Sequence, residues 1–349
     1  MACHDMLLRL AGKAPDELVA QAREWLAEGR VGELARAVVF TAVAQRISLL
    51  EDDVVLLDTL LEDDNADATG LSQIEIAEYE FMPPFGFTVT QAGDDAPAGD
   101  PAAIDAIDQA AIDAVMAESG VHGLWRVWRR PADGSPWPPP KRVFLVEMEA
   151  DAELPAVTAR MQQALSAAGE SEPQIEAFPT GMELPVYQRL ARAYGALVWA
   201  ATPDPGIEVA AVFDGVDAQS GPSFRDDHAR IEDAAERRRV IEYLNAGEAL
   251  LVTTARMDDV VDTSRRASVP MNFRTDGTWI WTDSTTYYLE EHHLEPDAGL
   301  LAHIRASNFE MPELDGVALH RAMDVLQRPA EEEPVWTFDG SSSGPDDED

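Results

Sequence analysis

The stretch KRVFLVEMEADAELPAVTARMQQALSAAGESEPQIEAF, residues 141–178, decides the fold. Val143–Met148 is a solid apolar run of strand length, and Gln174–Phe178 is a second, shorter one. Between them Leu154–Ala167 carries apolar residues at helical spacing. Strand, helix and strand in that order require a crossover, so the sheet is partly parallel. Upstream, Leu124–Arg129 (LWRVWR) alternates apolar and polar, as a half-buried strand does, and the proline-rich residues 131–140 connect it to Val143. Downstream, Glu183–Tyr194 reads as a second helix, and Ala196–Trp199 and Val209–Phe213 as further strands. The β-rich start makes the sheet mixed.

Further out the pattern is helical. Pro15, Asp16 and Glu17 form a good first turn, because proline loses nothing there and acids suit the positive end of the helix dipole. A second helix runs from about Glu33 to Gln45. A third follows Ser48, which has capping-box spacing to Glu51. Residues 91–103 read as a linker and 104–118 as an acidic helix with Ile104, Ile107, Ala111 and Val115 on one side. Toward the C-terminus, Arg230–Asn245 is a helix that Gly247 ends, and Ala249–Thr253 a strand. Met271–Arg274 and Thr278–Trp281 flank Asp276-Gly277, a two-residue hairpin signal. Thr282 or Asp283 then starts a helix to about Glu291, and further helices lie near 297–306 and 313–327. The expected class is α+β or mixed: an N-terminal helical module, a mixed α/β sheet region, and a helix-rich C-terminal part with a β-hairpin. The expected divisions are an acidic helical module at 1–90, an acidic linker and helix at 91–120 and the α/β region at 121–213. An α+β region at 214–328 holds the hairpin at 271–281, and an acidic, disordered tail fills 329–349.

Charge narrows the partners. The 349 residues carry 65 acids and 26 bases, a formal net charge of −39, and only Lys13 and Lys141 among the bases are lysines. Residues 51–120 hold eighteen acids and no Lys or Arg, whereas residues 1–50 hold six of each. Acid collected in blocks points to a local role such as binding a basic partner, rather than to salt adaptation of the whole surface. The overall field repels nucleic acid and anionic lipid. Arg126, Arg129, Arg130, Lys141 and Arg142, interleaved with Trp125, Trp128 and Trp137, form one basic patch, read as an internal partner for the acidic block or a hairpin surface. No stretch reaches membrane-span length, and Cys3 is the single cysteine, which fits a reducing cytosol. No nucleic acid, membrane or cofactor is expected, and the sequence is silent on oligomeric state.

Catalytic motifs fail one by one. There is no dinucleotide fingerprint and no P-loop. Gly340-Ser-Ser-Ser-Gly344 has the form of a nucleophile elbow but lies in the acidic tail, without the strand and helix an elbow needs. Glu290 and His293 have the spacing of one half of a carboxylate-bridged metal site, but no second half is present, and the exposed end of a helix explains them. Asp258, Asp259 and Asp262 lack the glycine and spacing of a calcium loop. The chain leans away from an enzyme.

The densest cluster is FRTDGTWIWTDSTTYY, residues 273–288. Arg274, Asp276, Trp279, Trp281, Tyr287 and Tyr288 have the composition of a binding hot spot, with Trp279 and Trp281 on one strand face. The same composition builds a small aromatic core under a hairpin, which is the commoner fate of aromatics. The run VPMNFRTDGTWIWTDSTTYYLEEHHLEPDAGLLAHI, residues 269–304, resembles a module of uncharacterised acidic actinobacterial proteins with Asp-Gly-x-Trp-x-Trp…Tyr-Tyr segments that accompany toxin–immunity systems. MLLRLAGKAPDELVAQAREWLAEG, at the start of the chain, has the same flavour. The resemblance covers about a third of the chain and transfers no catalytic residue. It implies a bacterial accessory or immunity protein. Two readings stand: a non-enzymatic, cytosolic interaction protein, of immunity or adaptor type, for a basic partner; or an enzyme or ligand sensor whose site in the α/β region is assembled from sequence-distant residues.

Overall fold

A computed structural model describes residues 1–80, 82–91, 103–217 and 219–328. Most of the expected linker and all of the expected tail, with Trp336, Phe338 and the Gly340–Gly344 run, lie outside them. The class is α+β with mixed sheets. The chain forms two compact units, one of residues 1–206 with 311–320, the other of residues 207–310 with the segment from 321.

The first unit opens with helices α1 (Ala2–Leu10), α2 (Asp16–Ala27) and α3 (Val31–Gln45). Pro15 occupies the N-cap of α2, with Asp16 and Glu17 in its first turn. A two-residue strand, β1 (Leu49–Leu50), leads directly into α4 (Glu51–Asp63). The expected capping box does not form. Leu50 holds the N-cap position without a side-chain bond, because residues 49–50 are pulled into a parallel pairing with β2 (Ile76–Ala77). Met6, Leu7, Leu10, Val19, Leu34, Val38, Leu57 and Leu61 form the core of this part.

The main sheet is built from β3 (Phe85–Thr88), β4 (Val121–Pro131), β5 (Lys141–Met148), β6 (Gln174–Pro179) and β7 (Ala196–Ala200), with α5 (Ala106–Met116), α6 (Leu154–Ala167) and α7 (Val186–Ala193) between them in the chain. β5 and β6 are parallel, in register from Val143↔Gln174 to Met148↔Pro179, with α6 as the crossover. β4 runs antiparallel to β5. Its other edge is shared: residues 123–126 pair with β7 and residues 128–131 with β3. The expectation that β4 is half-buried is corrected, since both of its faces are covered. Leu124 packs with Ala111, Val115, Val157 and Met161 of α5 and α6, while Trp125 and Val127 pack with Leu8 of α1 and Tyr187 of α7. Its arginines tolerate burial because distant carboxylates meet them: Arg126 bonds Asp108 at 2.5 Å and Arg129 bonds Asp16 at 2.5 Å. Arg142 of β5 bonds Asp105 at 2.6 Å and Asp108 at 2.9 Å. The helices attach to the sheet through polar groups as well, chiefly a fully buried Arg23–Glu176 pair at 2.6 Å to which Gln188 adds a bond.

The second unit contains β8 (Glu208–Val209), β9 (Gly215–Asp217), β10 (Gly221–Ser223), α8 (Ala234–Ala246), β11 (Glu248–Leu251), β12 (Arg256–Met257), β13 (Val269–Pro270), β14 (Phe273–Thr275), β15 (Trp279–Thr282), α9 (Asp283–His292) and α10 (Ala298–Ala306). The last helix, α11, spans Gly316–Gln327. Its four-stranded sheet has the order β11-β14-β15-β8. Residues 209–213 were expected as a strand, but only Glu208 and Val209 pair, in parallel with Trp279 and Ile280. The hairpin is present with its tip one residue later than expected. Thr275 faces Ile280 and the Asp276 amide reaches the Trp279 carbonyl, so Gly277 and Thr278 are the two central residues. Only Gly277, at φ +83°, takes the left-handed region. Among the described residues, no helix is long and apolar enough to cross a membrane.

Candidate functional site

The six residues singled out by composition lie together around the β14–β15 hairpin, but most face inward. Trp281 is fully buried, its indole N–H donating to the Leu244 carbonyl at 3.2 Å, and its ring lies so close to Gly247 that a β-carbon there would sit 2.3 Å from it. Trp279 is buried against Gly299 of α10, and Tyr288 is buried among Phe213, Phe224 and Tyr287. Arg274 is half-buried and spent on Asp283, at 2.6 Å, and on the carbonyls of Asn245 and Gly247. The contact-surface reading of Trp279, Trp281, Tyr288 and Asp276 is therefore corrected. These groups are core: Trp279 and Trp281 of β15 are buried against α10 and α8, Tyr288 points inward from α9, and Asp276 is buried in the turn.

Asp276 belongs to an arrangement that occurs twice. Its Oδ1 accepts the amides of Thr278 and Trp279 at 2.9 and 2.7 Å, its Oδ2 accepts the Tyr243 hydroxyl at 2.6 Å, and His303 Nε2 lies 2.9 Å from that oxygen. Asp259 repeats the pattern. Oδ1 accepts Val261 and Asp262 amides at 2.8 and 3.1 Å, and Oδ2 accepts Tyr287 at 3.0 Å and His292 Nε2 at 2.6 Å. Burial opposes the charge of Asp259, but His292, the two amides and Tyr287 outweigh it and hold its carboxyl below the usual range. Burial and the adjacent Asp276 push the Tyr243 hydroxyl well above its ordinary range, keeping it a donor. Both carboxylates are saturated with donors, which makes them structural anchors. The acidic and histidine runs noted in the sequence end in these anchors: Glu291 pairs with Arg265, and His293 takes a left-handed C-cap at φ +62°. Among the described residues, no group of three His, Cys, Asp or Glu is placed to hold a metal.

Two places in the first unit bring together polar groups that the sequence keeps apart. At one end of the sheet, the buried Glu147 of β5 accepts the Gly316 amide with both oxygens, at 3.0 and 2.8 Å. Burial pushes its carboxyl up against the pull of that amide and of Arg192. His122 and Asp315 pair beside it at 3.3 Å. Glu147 holds the first residue of α11, so its task is fully explained by that contact.

The second place is a cleft lined by Arg9, Ala11, Lys13, Glu80, Pro83, Pro185, Val186 and Tyr187, with about 240 Å³ of space, part of it open to solvent. Three segments meet there: the turn after α1, the loop before β3 and the first turn of α7. Gly12, at φ +74°, permits the approach; a β-carbon on it would lie 2.6 Å from the Tyr187 ring. Arg9 is locked to Asp53 through two bonds of 3.1 and 2.5 Å. Glu80 accepts the Val186 amide at 2.8 Å, so it caps α7. Burial, seconded by Arg9, pulls the Lys13 ammonium below its ordinary range, while Glu80 and Asp53 resist. Among the described residues, Lys13 Nζ has no hydrogen-bond or ion-pair partner, whereas the other lysine, Lys141, bonds the Ser171 carbonyl and lies near Glu170 and Glu172. No local pattern announces this cleft. Its one trace in the sequence is the scarcity of lysine, which makes each of the two conspicuous.

The acidic block divides between inside and outside. Asp53 and Asp108 turn inward to arginines, Asp105 meets Arg142 from the surface, and Asp64 pairs with Arg36. Glu51, Asp52, Asp58, Glu62 and Asp63 of α4 are exposed, and among the described residues none has a basic partner. Comparison of the chain with protein-family models, with curated proteins and with solved structures gave no match.

Proposed function

We propose that the chain is a non-enzymatic binding protein of the bacterial cytosol, of immunity or adaptor type, that takes a basic protein partner on the outer face of α4. One observation carries the reading. Glu51, Val55, Asp58 and Glu62 fall at i, i+4, i+7 and i+11 on the exposed side of that helix, flanked by Asp52 and Asp63. Like charges at such spacing repel, by about 0.2–0.5 kcal/mol a pair. Glu62 and Asp63 also sit at the negative end of the helix dipole, and the last turn has no basic residue to offset them. Glu51 and Asp52 suit the first turn, but the fold gains nothing from the placement of Asp58, Glu62 and Asp63, and an arriving cationic surface removes their cost. Val55, 60 % exposed, gives that surface an apolar contact at the centre of the stripe. The test is capture of partners from the native cytosol on the full chain and on a D52N/E62Q/D63N variant, at low and high salt. Partners held by the parent at low salt, and lost from both the variant and the high-salt wash, support the reading. Equal capture by parent and variant removes it.

The second reading, a ligand sensor or enzyme working from the α/β region, is favoured by the Lys13 cleft, where groups from three distant segments converge on an unpaired amine. Measured affinity for a small metabolite that Lys13→Ala abolishes would put this reading ahead of the first.

A further inference from the structure

We infer that the open edge of the second unit's sheet is a contact surface for a second copy of this chain, the two copies meeting antiparallel, edge to edge, about a two-fold axis at Val252. This goes beyond the partner-binding reading of α4 and does not depend on it. Three observations carry it. The first is that the edge is long and open. β11 pairs with β14 on one side, and β12 continues the same stretch against β13, so residues 248–257 run along residues 269–275 with their other side unpaired among the described residues. Between the two paired pieces the edge uses four residues, 252–255, where its neighbour uses two, 271–272, and the surplus bows the middle outward. Val252 there is 73 % exposed and Leu251 49 %, and Met271 across from them is exposed as well. The stretch has no proline and no lysine to keep another edge away.

The second observation is the charge pattern. Glu248-Ala-Leu-Leu-Val-Thr-Thr-Ala-Arg256 has one acid at its start, one base at its end and no charge between. Turned antiparallel on itself about Val252, it sets Glu248 of each copy opposite Arg256 of the other and brings no like charges together. Both side chains are exposed, and among the described residues neither meets an opposite charge; Arg256 donates to the Ser268 carbonyl at 2.9 Å. The third is the direction of the main chain. The Thr253 amide turns inward to Asn272 Oδ1 at 2.8 Å, so its neighbour Val252 turns its own N–H and C=O outward, where they have no partner among the described residues. In the two-fold register Val252 exchanges bonds with Val252, Leu250 with Thr254 and Glu248 with Arg256. The Ala255 amide, held by the Thr253 hydroxyl at 3.1 Å, falls in a pair that exchanges none. The opposite end of the sheet offers no such match, since β8 is two residues long and carries Glu208.

The experiment is sedimentation velocity on the full chain over a range of concentration and salt. A reversible dimer is expected, and it should tighten as salt rises, because salt screens the repulsion between two chains of net charge −39. Val252→Lys, which sets like charges face to face on the axis, should leave a monomer with an unchanged melting curve. Glu248→Arg and Arg256→Glu should each weaken the dimer about tenfold at about 0.15 M salt. Mixing the two variants should restore the parent's affinity, because their charges are complementary only to each other. Under mild oxidation Val252→Cys should link to itself across the axis, whereas Thr254→Cys, facing Leu250, should not. The linked peptides are mapped by mass spectrometry, since Cys3 is also free. A parent that stays monomeric at every salt, a dimer that survives Val252→Lys, a mixture that restores nothing, or equal linking from Thr254→Cys overturns the inference. So does a chain that dimerises only when residues 329–349 are removed, which would give the edge to the tail.

Discussion

α5 is capped by Asp105 and turns Asp108 onto Arg126 and Arg142, whereas α4 turns only Asp53 inward, onto Arg9, and leaves its other acids in water. Both helices come from the same base-free block, so composition does not separate their acids. Helical phase does. Asp108 falls in line with the buried Ala111 and Val115, three and seven residues on, and Asp53 with the buried Leu57 and Leu61, four and eight residues on. An acid set within an apolar stripe has to be met by a cation from elsewhere in the fold, because an unpaired buried charge is too costly. An acid off the stripe is free to face a partner.

The contrast fails if Asp108 proves dispensable. Asp108→Ala removes the carboxylate shared by two buried guanidinium groups and should cost about 3–5 kcal/mol in urea unfolding. A loss below about 1 kcal/mol would mean that the arginines reach water. Asp53→Asn keeps the shape and removes the charge opposite Arg9, which is itself partly exposed. A cost of about 1–3 kcal/mol is expected in the same assay, placing α4's inward acid below α5's. Asp105 sharpens the comparison through pH. The Arg142 guanidinium, helped by helix amides and opposed by burial, lowers its carboxyl to about 2. A depressed acid stabilises the fold above its unfolded value, and that contribution is lost as pH falls toward about 2. Acid titration of the Asp105→Asn variant should therefore show a shallower loss of stability over that interval than the parent, and parallel curves would contradict the pairing. The smallest effect belongs to the outer face. D52N/E62Q/D63N should change stability by no more than about 0.5 kcal/mol, or raise it slightly as repulsion is relieved. A loss of several kcal/mol would show that these acids hold the helix rather than await a partner.

Much of the fold was legible where a segment's neighbours are local. Leu154–Ala167 forms the helix its spacing predicts, and the strands on either side form the parallel pair a crossover demands. Legibility ended where distant groups decide. The basic patch around LWRVWR read as an internal partner for the acidic block or as a hairpin surface, but the individual partners were not legible: Arg126 is met by Asp108 of that block and Arg129 by Asp16 of α2, outside it. Asp276 read as a turn residue with positive φ. Its carboxylate instead caps the turn from outside and bonds Tyr243 and His303, which shifts the tip to Gly277-Thr278. The two-residue strands β1, β2, β8, β12 and β13 are too short to leave a period. The cleft draws on Arg9, Ala11 and Lys13, on Glu80 and Pro83, and on residues 185–187, and positions so far apart share no pattern.

The paired anchors at Asp259 and Asp276 also bear on how the second unit comes to be folded. In each, half of the carboxylate is satisfied by amides two and three residues ahead, a loop that closes in well under a microsecond. The other half waits for a hydroxyl and an imidazole from helices about thirty positions away along the chain. The acceptor is thus assembled before its long-range donors can arrive, and each turn presents a finished docking point to whichever helix reaches it first. Local closure is cheap and distant closure slow, so the helix donors join these two points after the turns have formed. Substitutions of Tyr243 and Tyr287 should then show in the unfolding rate of this unit more than in the formation of its turns.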